Sequence, residues 1–508
     1  MKKHLRLNRI KKNKNLQGAC LMEKNEHNRF NSRVDAIVLA AGKSSRFKSA
    51  TSKLLFPLCG KPLILHLLTS LKELQLQPLL VTGHQEENIR ALLDSDSSFS
   101  SLKTITQLEQ KGTGHATLIA LPHINNDFTL IINGDMPLLS SKSLSQFISN
   151  HVKSDSDMSI GTAIASDPHS YGRLIKTDIS CYIQEEKNCS DEEKLCRTIN
   201  AGIYIFKTSI LKKYINEVEH DIKSGEFFLP DVVNRALNNN GSLQIFQFDF
   251  DEIKGINRLS EAHEIQKILR RKIINHWIDQ GVWFTQPETV EIDINCNIGS
   301  YTKIEAGVII SNNTTIAQHA KIGAYSILDH AQIDSDVQIL PHSIIKNSKI
   351  EASATVGPFA HIHTTSHLHK STRIGNFVEV KKSSIGKQSK AKHLSYLGDT
   401  TIGSNVNIGA GTITCNYDGF TKHKTIIYDN VSIGAQNALV APVTIQQGSM
   451  TAAGSTITDD VPAESLGIGR ARQVNKENYV RLRKQKHREE KELILTETHQ
   501  TTEKKTDV

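Results

Sequence analysis

The feature that most constrains this chain is a strict period of six. Ile298, Ile304, Ile310, Ile316, Ile322 and Leu328 recur at six-residue intervals, with small or polar residues between them. A helix needs apolar residues every three to four positions, and a half-buried strand every two. Period six suits neither alone. It suits short strands bent at regular corners, each turning one aliphatic side chain inward. Such a unit cannot bury its own apolar residue and must stack on copies of itself. The phase then slips by one, to Ile333, Ile339 and Ile345, and again to Ile350, Val356 and Ile362. Later pieces stand at Ile374, Ile385, Ile402, Ile408 and Ile433. A β-sandwich of alternating strands is the competing reading, and the unbroken run of matches speaks against it. The C-terminal half is expected to be a hexapeptide-repeat β-helix.

The N-terminal half reads differently. "VDAIVL" (34–39) is a short apolar run ending in "AAGKSSR", and "KPLILHLLTSLKEL" is an amphipathic helix pattern. "LLVTG", "KTITQ" and "FTLIINGD" are further strand-like runs, separated by the helical "ENIRALL" and "TGHATLIAL". Strands alternating with helices predict a parallel, doubly wound sheet. Ligands of such sheets sit beyond the carboxyl ends of strands, where "LAAGKSSR" and "NGDMP" fall. From Leu259 to Ile278, apolar Ala262, Ile265, Leu269, Ile273 and Trp277 predict a long amphipathic helix leading into the repeats. Five segments follow: a basic, disordered extension (1–33), an α/β domain (34–257), a linker helix (258–281), the β-helix (282–470) and a charged, solvated tail (471–508), partly helical.

Net charge is +8 over 508 residues, but residues 1–22 hold seven Lys/Arg and no acid, so the remainder is nearly neutral (+8 − 7 = +1). The bulk of the chain thus offers no electrostatic case for nucleic-acid binding. The leader lacks an apolar run of signal-peptide length. It reads either as a plain extension, with Met22 as an alternative start, or as an arm touching RNA or membrane. No stretch approaches the ~20 apolar residues of a membrane span. Seven cysteines without a C-x-x-C pair point to reduced thiols in a cytosol.

Two stretches carry chemistry. In "LAAGKSSRFKSATSK" small residues and a glycine stand where a backbone must approach phosphates, flanked by Arg46 and Lys53. The loop lacks both the G-K-[ST] of a Walker loop and the G-x-G-x-x-G of a dinucleotide fold. In "NFVEVKKSSIGKQSKAKHLSYLGDTTIGSNVNIGAGTITCNYDG" an insertion breaks the repeat and polar groups concentrate. His393 is there the candidate general base, since imidazole titrates near the working pH. Between them, His361/His363 and His367/His369 are same-face pairs on extended chain that invite a metal reading, but no carboxylate or cysteine lies within their segment to complete a site.

Together "LAAGKSSRFKSATSK", "QLEQKGTGHA", "NGDMP", "SYGRLI", "INAGIY" and "GIN" resemble the sugar-nucleotide pyrophosphorylases. Their order and spacing resemble most closely the bacterial bifunctional N-acetylglucosamine-1-phosphate uridylyltransferases/glucosamine-1-phosphate acetyltransferases, over about Val34 to Arg470. The resemblance implies a Rossmann-like nucleotidyltransferase domain, a left-handed β-helix and a homotrimer with sites between neighbouring protomers. It implies an enzyme that acetylates glucosamine 1-phosphate from acetyl-CoA and then uridylylates the product with UTP, releasing pyrophosphate, in the cytoplasm. Leu39, Ala40, Ala41 and Gly42 would cradle the nucleotide, and Arg46 and Lys53 would serve catalysis by neutralising the triphosphate. Gln107, Gly112 and Thr113 would read the uracil. Asn133 and Gly134 would line the site, and Asp135 and Asn257 would hold Mg²⁺. Gly172, Glu185 and Asn200 would bind the N-acetylglucosamine. On the second site, Lys381, Tyr396, Asn407, Asn416 and Tyr417 would bind glucosamine 1-phosphate, and Ala410, Ala453 and Arg470 would lie along acetyl-CoA.

The pattern departs from that family in three places. Ser44 stands for a glycine, and Ala435 for a serine near the coenzyme. His363 stands where an arginine clamps the sugar phosphate, offering at most one charge in place of a planar two-pronged donor. A uridylyltransferase with an impaired acetyl site is therefore an alternative, as is a non-catalytic assembly subunit built of the same folds. The latter has no need to keep Arg46, Lys53, Asp135, Asn257 and His393 together. A glucose-1-phosphate adenylyltransferase joins the same folds but is not expected to carry "HLSYLGD" or "TITCNYDG".

Overall fold

A computed structural model describes residues 32–42, 46–49, 51–83, 86–177, 181–217 and 225–503, the side chains of 496–503 excepted. The basic leader up to residue 31 and the substituted Ser44 lie outside these. The chain divides into two compact units, Met1–Asn347 and Ser348–Val508.

The first unit opens with a mixed α/β sheet. Its strands are β1 (Val34–Ala40), β2 (Leu79–Thr82), β3 (Thr104–Thr106), β4 (Phe128–Asn133), β5 (Met158–Ile164), β6 (Arg173–Lys176), β7 (Cys181–Gln184), β8 (Thr198–Lys207) and β9 (Leu243–Gln247). The order across the sheet is β9-β5-β8-β4-β1-β2-β3, with the β6–β7 hairpin attached beside β8. Along this order pairings are parallel except at β8, which runs antiparallel between β4 and β5; the attached β6–β7 hairpin is antiparallel as well. The sequence suggested a wholly parallel sheet. The exception arises because β5 reaches β8 through a hairpin, and a strand that returns without a helical crossover comes back antiparallel.

Helices α1 (Leu63–Glu73), α2 (Glu86–Ser95), α3 (Thr113–Ala120), α4 (Ser141–Ser154), α5 (Leu229–Asn238) and α6 (Leu259–Asp279) accompany the strands. Strand alternation sorts the core. Val34, Ala36 and Val38 pack with α1, α4 and α6, and Ile37 faces the other way, with α3 and α5. Along α6, Ala262, Ile265, Leu269 and Ile273 are buried as expected, but Ile274 takes the place assigned to Trp277, which is only half-buried.

Two histidines sit inside this unit. His66 donates from Nε2 to the Leu58 carbonyl at 3.0 Å, and His151 Nδ1 meets Ser159 Oγ at 2.7 Å. Burial pushes each imidazole down from 6.5 to about 4. Between those values the unfolded chain binds protons that the folded one refuses, so stability present above pH 6.5 is lost as pH falls toward 4. Each full shift corresponds to about 3 kcal/mol. The melting temperature is expected to drop through this window, and His66→Gln, which keeps a donor for Leu58 without the titration, is expected to flatten the slope. An equal slope in the variant would assign the acid lability elsewhere.

The repeats begin in the same unit. Ile298 pairs in register with Ile316 and Ile316 with Ile333; Ile304, Ile322 and Ile339 form a second column, and Ile310, Leu328 and Ile345 a third. All of these are at most 3% exposed. Three residues past the inward aliphatic the backbone turns through left-handed φ, at Tyr301 (63°), His319 (62°), Tyr325 (57°) and His342 (59°). The third corner explains the phase slip. After Ile310 two left-handed residues, Asn312 and Asn313, carry the turn and the next inward residue is Ile316, six on; after Leu328 only His330 does, and Ile333 follows at five.

The second unit is itself a left-handed parallel β-helix built by the same rule. Thr364 and Thr365 give the six-residue step from Ile362 to Leu368, and Lys382 alone gives the five-residue step from Val380 to Ile385. Its columns run Ile350, Leu368, Ile385, Ile402 and Ile427, then Val356, Ile374, Ala391, Ile408 and Ile433, then Ile362, Val380 and Leu397. The expected insertion is visible as a long coil: Ile402 pairs with Ile427, 25 residues on, where Ile385 to Ile402 takes 17. The extra residues form a loop folded on Asp418, whose carboxylate accepts from the Phe420 and Thr421 amides and from His423. A 25-residue helix, Tyr479–Glu503, follows, exposed through Leu495. No helix among the described residues is long and apolar enough to cross a membrane.

Candidate active sites

The first site lies beyond the carboxyl ends of β1 and β4. These strands are parallel neighbours, with Leu39 opposite Asn133, so the loops that follow them emerge side by side. The Gly134 amide donates to the Leu39 carbonyl at 2.8 Å, which ties the two loops together. On the β4 side, Asp135 Oδ2 lies 2.8 Å from Lys53 Nζ; the same ammonium donates to Asn257 Oδ1 at 3.4 Å. Residues separated by 82 and 204 positions thus meet at one point. Lys53 is only 12% exposed at its side chain and Asp135 20%, so the pair is partly sheltered from water. Two carbonyl-type oxygens converge there on a positive charge.

Two cavities adjoin at Asp135. One is lined by Leu39–Gly42, Lys53, Gln107, Gly112 and Thr113; the other by Gly172, Glu185, Asn200 and Asn257, and Leu39, Thr113, Asn133 and Asp135 face both. In the first, Gln107 is buried and its Nε2 donates to Gly112 O at 3.2 Å and meets His115 Nδ1 at 2.9 Å. Gly112 has φ 98°, and a Cβ there would stand 2.5 Å from the Phe227 carbonyl oxygen, so only glycine closes the turn that opens α3. In the second, Asn200 Nδ2 donates to Tyr204 Oη at 2.6 Å, and the Asn200 amide donates to Gly172 O at 2.8 Å.

Arg46 is exposed and lines neither cavity; it follows the undescribed residues 43–45. Several lining groups were not foreseen. Gln110 Nε2 donates to Ala41 O at 2.5 Å, and Tyr204 holds Asn200. Glu261 accepts from the Asn257 amide at 2.5 Å and the Arg258 amide at 3.0 Å. A signal for Glu261 existed in the sequence: an acid at the third position of a helix caps its first amides.

The second site lies on the β-helix of the second unit. His393 is exposed on the strand Lys390–Gly398, in register with Asn376, whose Oδ1 is 3.1 Å from His393 Nδ1. It is not packed inside the prism. On that strand Ser395 and Leu397 turn inward and Tyr396 outward; one coil earlier Glu379 and Lys381 also face outward, beside His363. A side chain at Gly398 would strike the Tyr396 ring, so the glycine lets that ring lie along the coil. Asn416 is buried and donates to Asp399 Oδ2 at 2.6 Å, and Asp399 also lies 3.5 Å from Lys382. Tyr417 is exposed, its hydroxyl on Gly419 O at 2.7 Å. Asn407, Ala410, Ala435, Ala453 and Arg470 are exposed along the later coils.

His363 is not a free cation. Its Nε2 lies 3.0 Å from Glu379 Oε1, and Nδ1 meets Thr364 Oγ1 at 2.9 Å. Within their own segment the histidine pairs have no carboxylate. Neighbouring coils supply one to each: Glu379 beside His361 and His363, and Glu351 beside His367 and His369. The acids are 16 to 18 residues away in sequence, one coil up or down.

Comparison with known proteins agrees with this geometry. Residues 36–195 match the MobA-like NTP transferase domain family. A bifunctional protein GlmU from Exiguobacterium sibiricum is 38% identical over 450 residues, covering 87% of this chain and 99% of that one. GlmU of a Geobacillus species is 39% identical, covering 88% and 97%, and GlmU of Thermosipho melanesiensis 41% identical, covering 87% and 96%. Identity at this level over both halves places the chain in the GlmU family of bifunctional enzymes, which join N-acetylglucosamine-1-phosphate uridylyltransferase and glucosamine-1-phosphate acetyltransferase to make UDP-N-acetylglucosamine.

Proposed function

We propose that the two activities occupy the two sites just described, uridylyl transfer within residues 34–257 and acetyl transfer within 282–470, with 258–281 as the link. The observation that carries the first assignment is the meeting of Lys53, Asp135 and Asn257 where the two cavities adjoin. UTP would take the side lined by Leu39–Gly42, Gln107, Gly112 and Thr113, and the sugar phosphate the side lined by Gly172, Glu185 and Asn200. Their phosphates then face each other at Asp135. A phosphate oxygen of N-acetylglucosamine 1-phosphate attacks the α-phosphorus of UTP, a new P–O bond forms, and the α–β bridge breaks to release pyrophosphate. Transfer of this kind needs positioning and charge cancellation more than a covalent catalyst. Lys53 supplies one fixed charge, and Arg46 would supply another.

The donor set at this point also fits a hard divalent cation. One carboxylate and one amide oxygen leave room for phosphate oxygens, which is the pattern Mg²⁺ favours. Asp135 and Asn257 would hold it, and when bound it neutralises the phosphates.

At the second site His393 takes the proton of the amine. The nitrogen of glucosamine 1-phosphate attacks the thioester carbonyl of acetyl-CoA, the C–S bond breaks and coenzyme A leaves. Lys381, Tyr396, Asn407, Asn416 and Tyr417 would hold the sugar phosphate, and Ala410, Ala435, Ala453 and Arg470 the coenzyme. The His363–Glu379 pair places a carboxylate close to where an arginine would clamp phosphate, which favours weak binding of glucosamine 1-phosphate.

A homotrimer through the β-helix is supported by an exposed apolar ridge. Phe359 and Phe377 stack at one corner with ring centroids 5.4 Å apart, and Leu394, next to His393, continues the column. They are 49, 57 and 63% exposed in the single chain, the kind of patch that a neighbouring protomer covers. A cytoplasmic location fits the substrates and the free thiols of all six described cysteines. The test is an assay of the purified chain with glucosamine 1-phosphate, acetyl-CoA, UTP and Mg²⁺, each omitted in turn. UDP-N-acetylglucosamine is expected only from the complete mixture, and N-acetylglucosamine 1-phosphate should replace acetyl-CoA and glucosamine 1-phosphate together. Product without Mg²⁺ would remove the cation from the reading.

A further inference from the structure

Glu351, His367 and His369 form a cluster that neither activity uses. His367 and His369 flank the inward Leu368, so both rings leave the same outer face. In the parallel register Leu368 lies over Ile350, which sets Glu351 beneath His369. The result is a convergence on one atom: Glu351 Oε1 is 2.8 Å from His367 Nε2 and 3.2 Å from His369 Nδ1. All three ligand atoms lie within 4.8 Å of one another. Ligands about 2.0–2.1 Å from a tetrahedral ion stand roughly 3.3 Å apart. The cluster is therefore close to that spacing, and small side-chain rotations would open it.

The surroundings fit as well. Metal-bound imidazoles are usually oriented by a hydrogen bond on the far nitrogen, and ligating carboxylates are themselves hydrogen-bonded. His369 Nε2 lies 3.2 Å from Ser384 Oγ, and Glu351 Oε2 accepts the Lys370 amide at 3.0 Å. The three ligands are each between a quarter and a third exposed, which leaves a path for an ion and a position for water.

We propose that Glu351, His367 and His369 bind a first-row divalent cation of the zinc class, clamping adjacent coils of the β-helix together. Two imidazoles exclude Mg²⁺ and Ca²⁺, which take oxygen, and suit Zn²⁺, Co²⁺ or Ni²⁺. Glu351 belongs to one coil, the histidines to the next and Ser384 to the one after, so a bound ion ties three successive turns. The site stands on the Ile350–Leu368–Ile385 column, whereas His363 and Lys381 stand on the Ile362–Val380–Leu397 column.

The test uses the full chain, stripped with a chelator and titrated with Zn²⁺ by calorimetry and with Co²⁺ by visible absorption. Wild type is expected to take up one more equivalent per chain than Glu351→Gln, which keeps the side chain's shape. His367→Asn/His369→Asn should lose the same equivalent. Ser384→Ala should retain it with affinity lowered about 10–100-fold. Zn²⁺ should raise the melting temperature of wild type more than that of Glu351→Gln. His361→Asn/His363→Asn, which alters the neighbouring cluster, should keep the equivalent assigned here. Equal uptake by wild type and both ligand variants, or no uptake by wild type, would overturn the proposal.

Discussion

Asp135→Ala is expected to lower uridylyl transfer by ~10²–10³-fold or more, the scale on which removal of a single preorganised electrostatic group acts, with acetyl transfer unchanged. Among the residues that line both cavities of the first site Asp135 is the charged one, and it faces Lys53 at 2.8 Å in a partly sheltered position. Truncation removes the negative partner that fixes the ammonium and leaves it the longer contact to Asn257 Oδ1, at 3.4 Å. Any cation held with Asn257 loses its only full charge. Asp135→Asn separates charge from shape. It keeps the side chain's shape and leaves the Asp135 carbonyl that accepts the Ile256 amide at 3.2 Å. Both variants should therefore melt near wild type while losing the reaction. A uridylyl rate that survives both would take Asp135 out of the site.

That such a residue can be picked from sequence depends on what kind of order it belongs to. Asp135 lies just past a strand whose apolar run is legible, and ligands of α/β sheets gather at strand ends. The β-helix was legible for a related reason: one buried aliphatic per turn imposes a period that no other fold needs. What stayed hidden is whatever depends on neighbours across coils. The phase slip at Ile333 is a missing left-handed corner residue, and nothing in local hydropathy distinguishes His330 from the pair Asn312–Asn313. The acids that complete the histidine pairs, Glu351 and Glu379, are one coil away, outside the stretch 357–370 that holds the histidines. Once the 17- or 18-residue coil length is known, they fall directly beside their partners. Tyr204 and Gln110 were missed differently, since their roles depend on how β8 and the loop after β3 close over the sheet, including the antiparallel return of β8.

His393→Ala is expected to lower acetyl transfer by ~10²–10⁴-fold, the usual worth of a placed general base, and to leave uridylyl transfer at the wild-type rate. The geometry gives the imidazole a direction. Asn376 Oδ1 is an acceptor, so His393 Nδ1 must carry the proton that bonds to it at 3.1 Å. In the neutral ring Nε2 is then the nitrogen left to accept a proton from an amine. Because His393 is exposed, its truncation opens no cavity, and the stability change should stay within the ~0.5 kcal/mol typical of surface sites. Lost rate therefore reports lost chemistry. The loss should appear in kcat, with KM for acetyl-CoA little moved, because the coenzyme contacts proposed for Ala410, Ala453 and Arg470 are untouched. Asn376→Ala makes the complementary measurement. It removes the group that fixes the ring's tautomer and should cost less than His393→Ala, with kcat again the parameter that falls. Added imidazole should restore part of the rate to His393→Ala and none to Asn376→Ala, whose own base is still present. If His393→Ala turns over near the wild-type rate, the amine proton leaves by another route and the second site must be rebuilt around a different group.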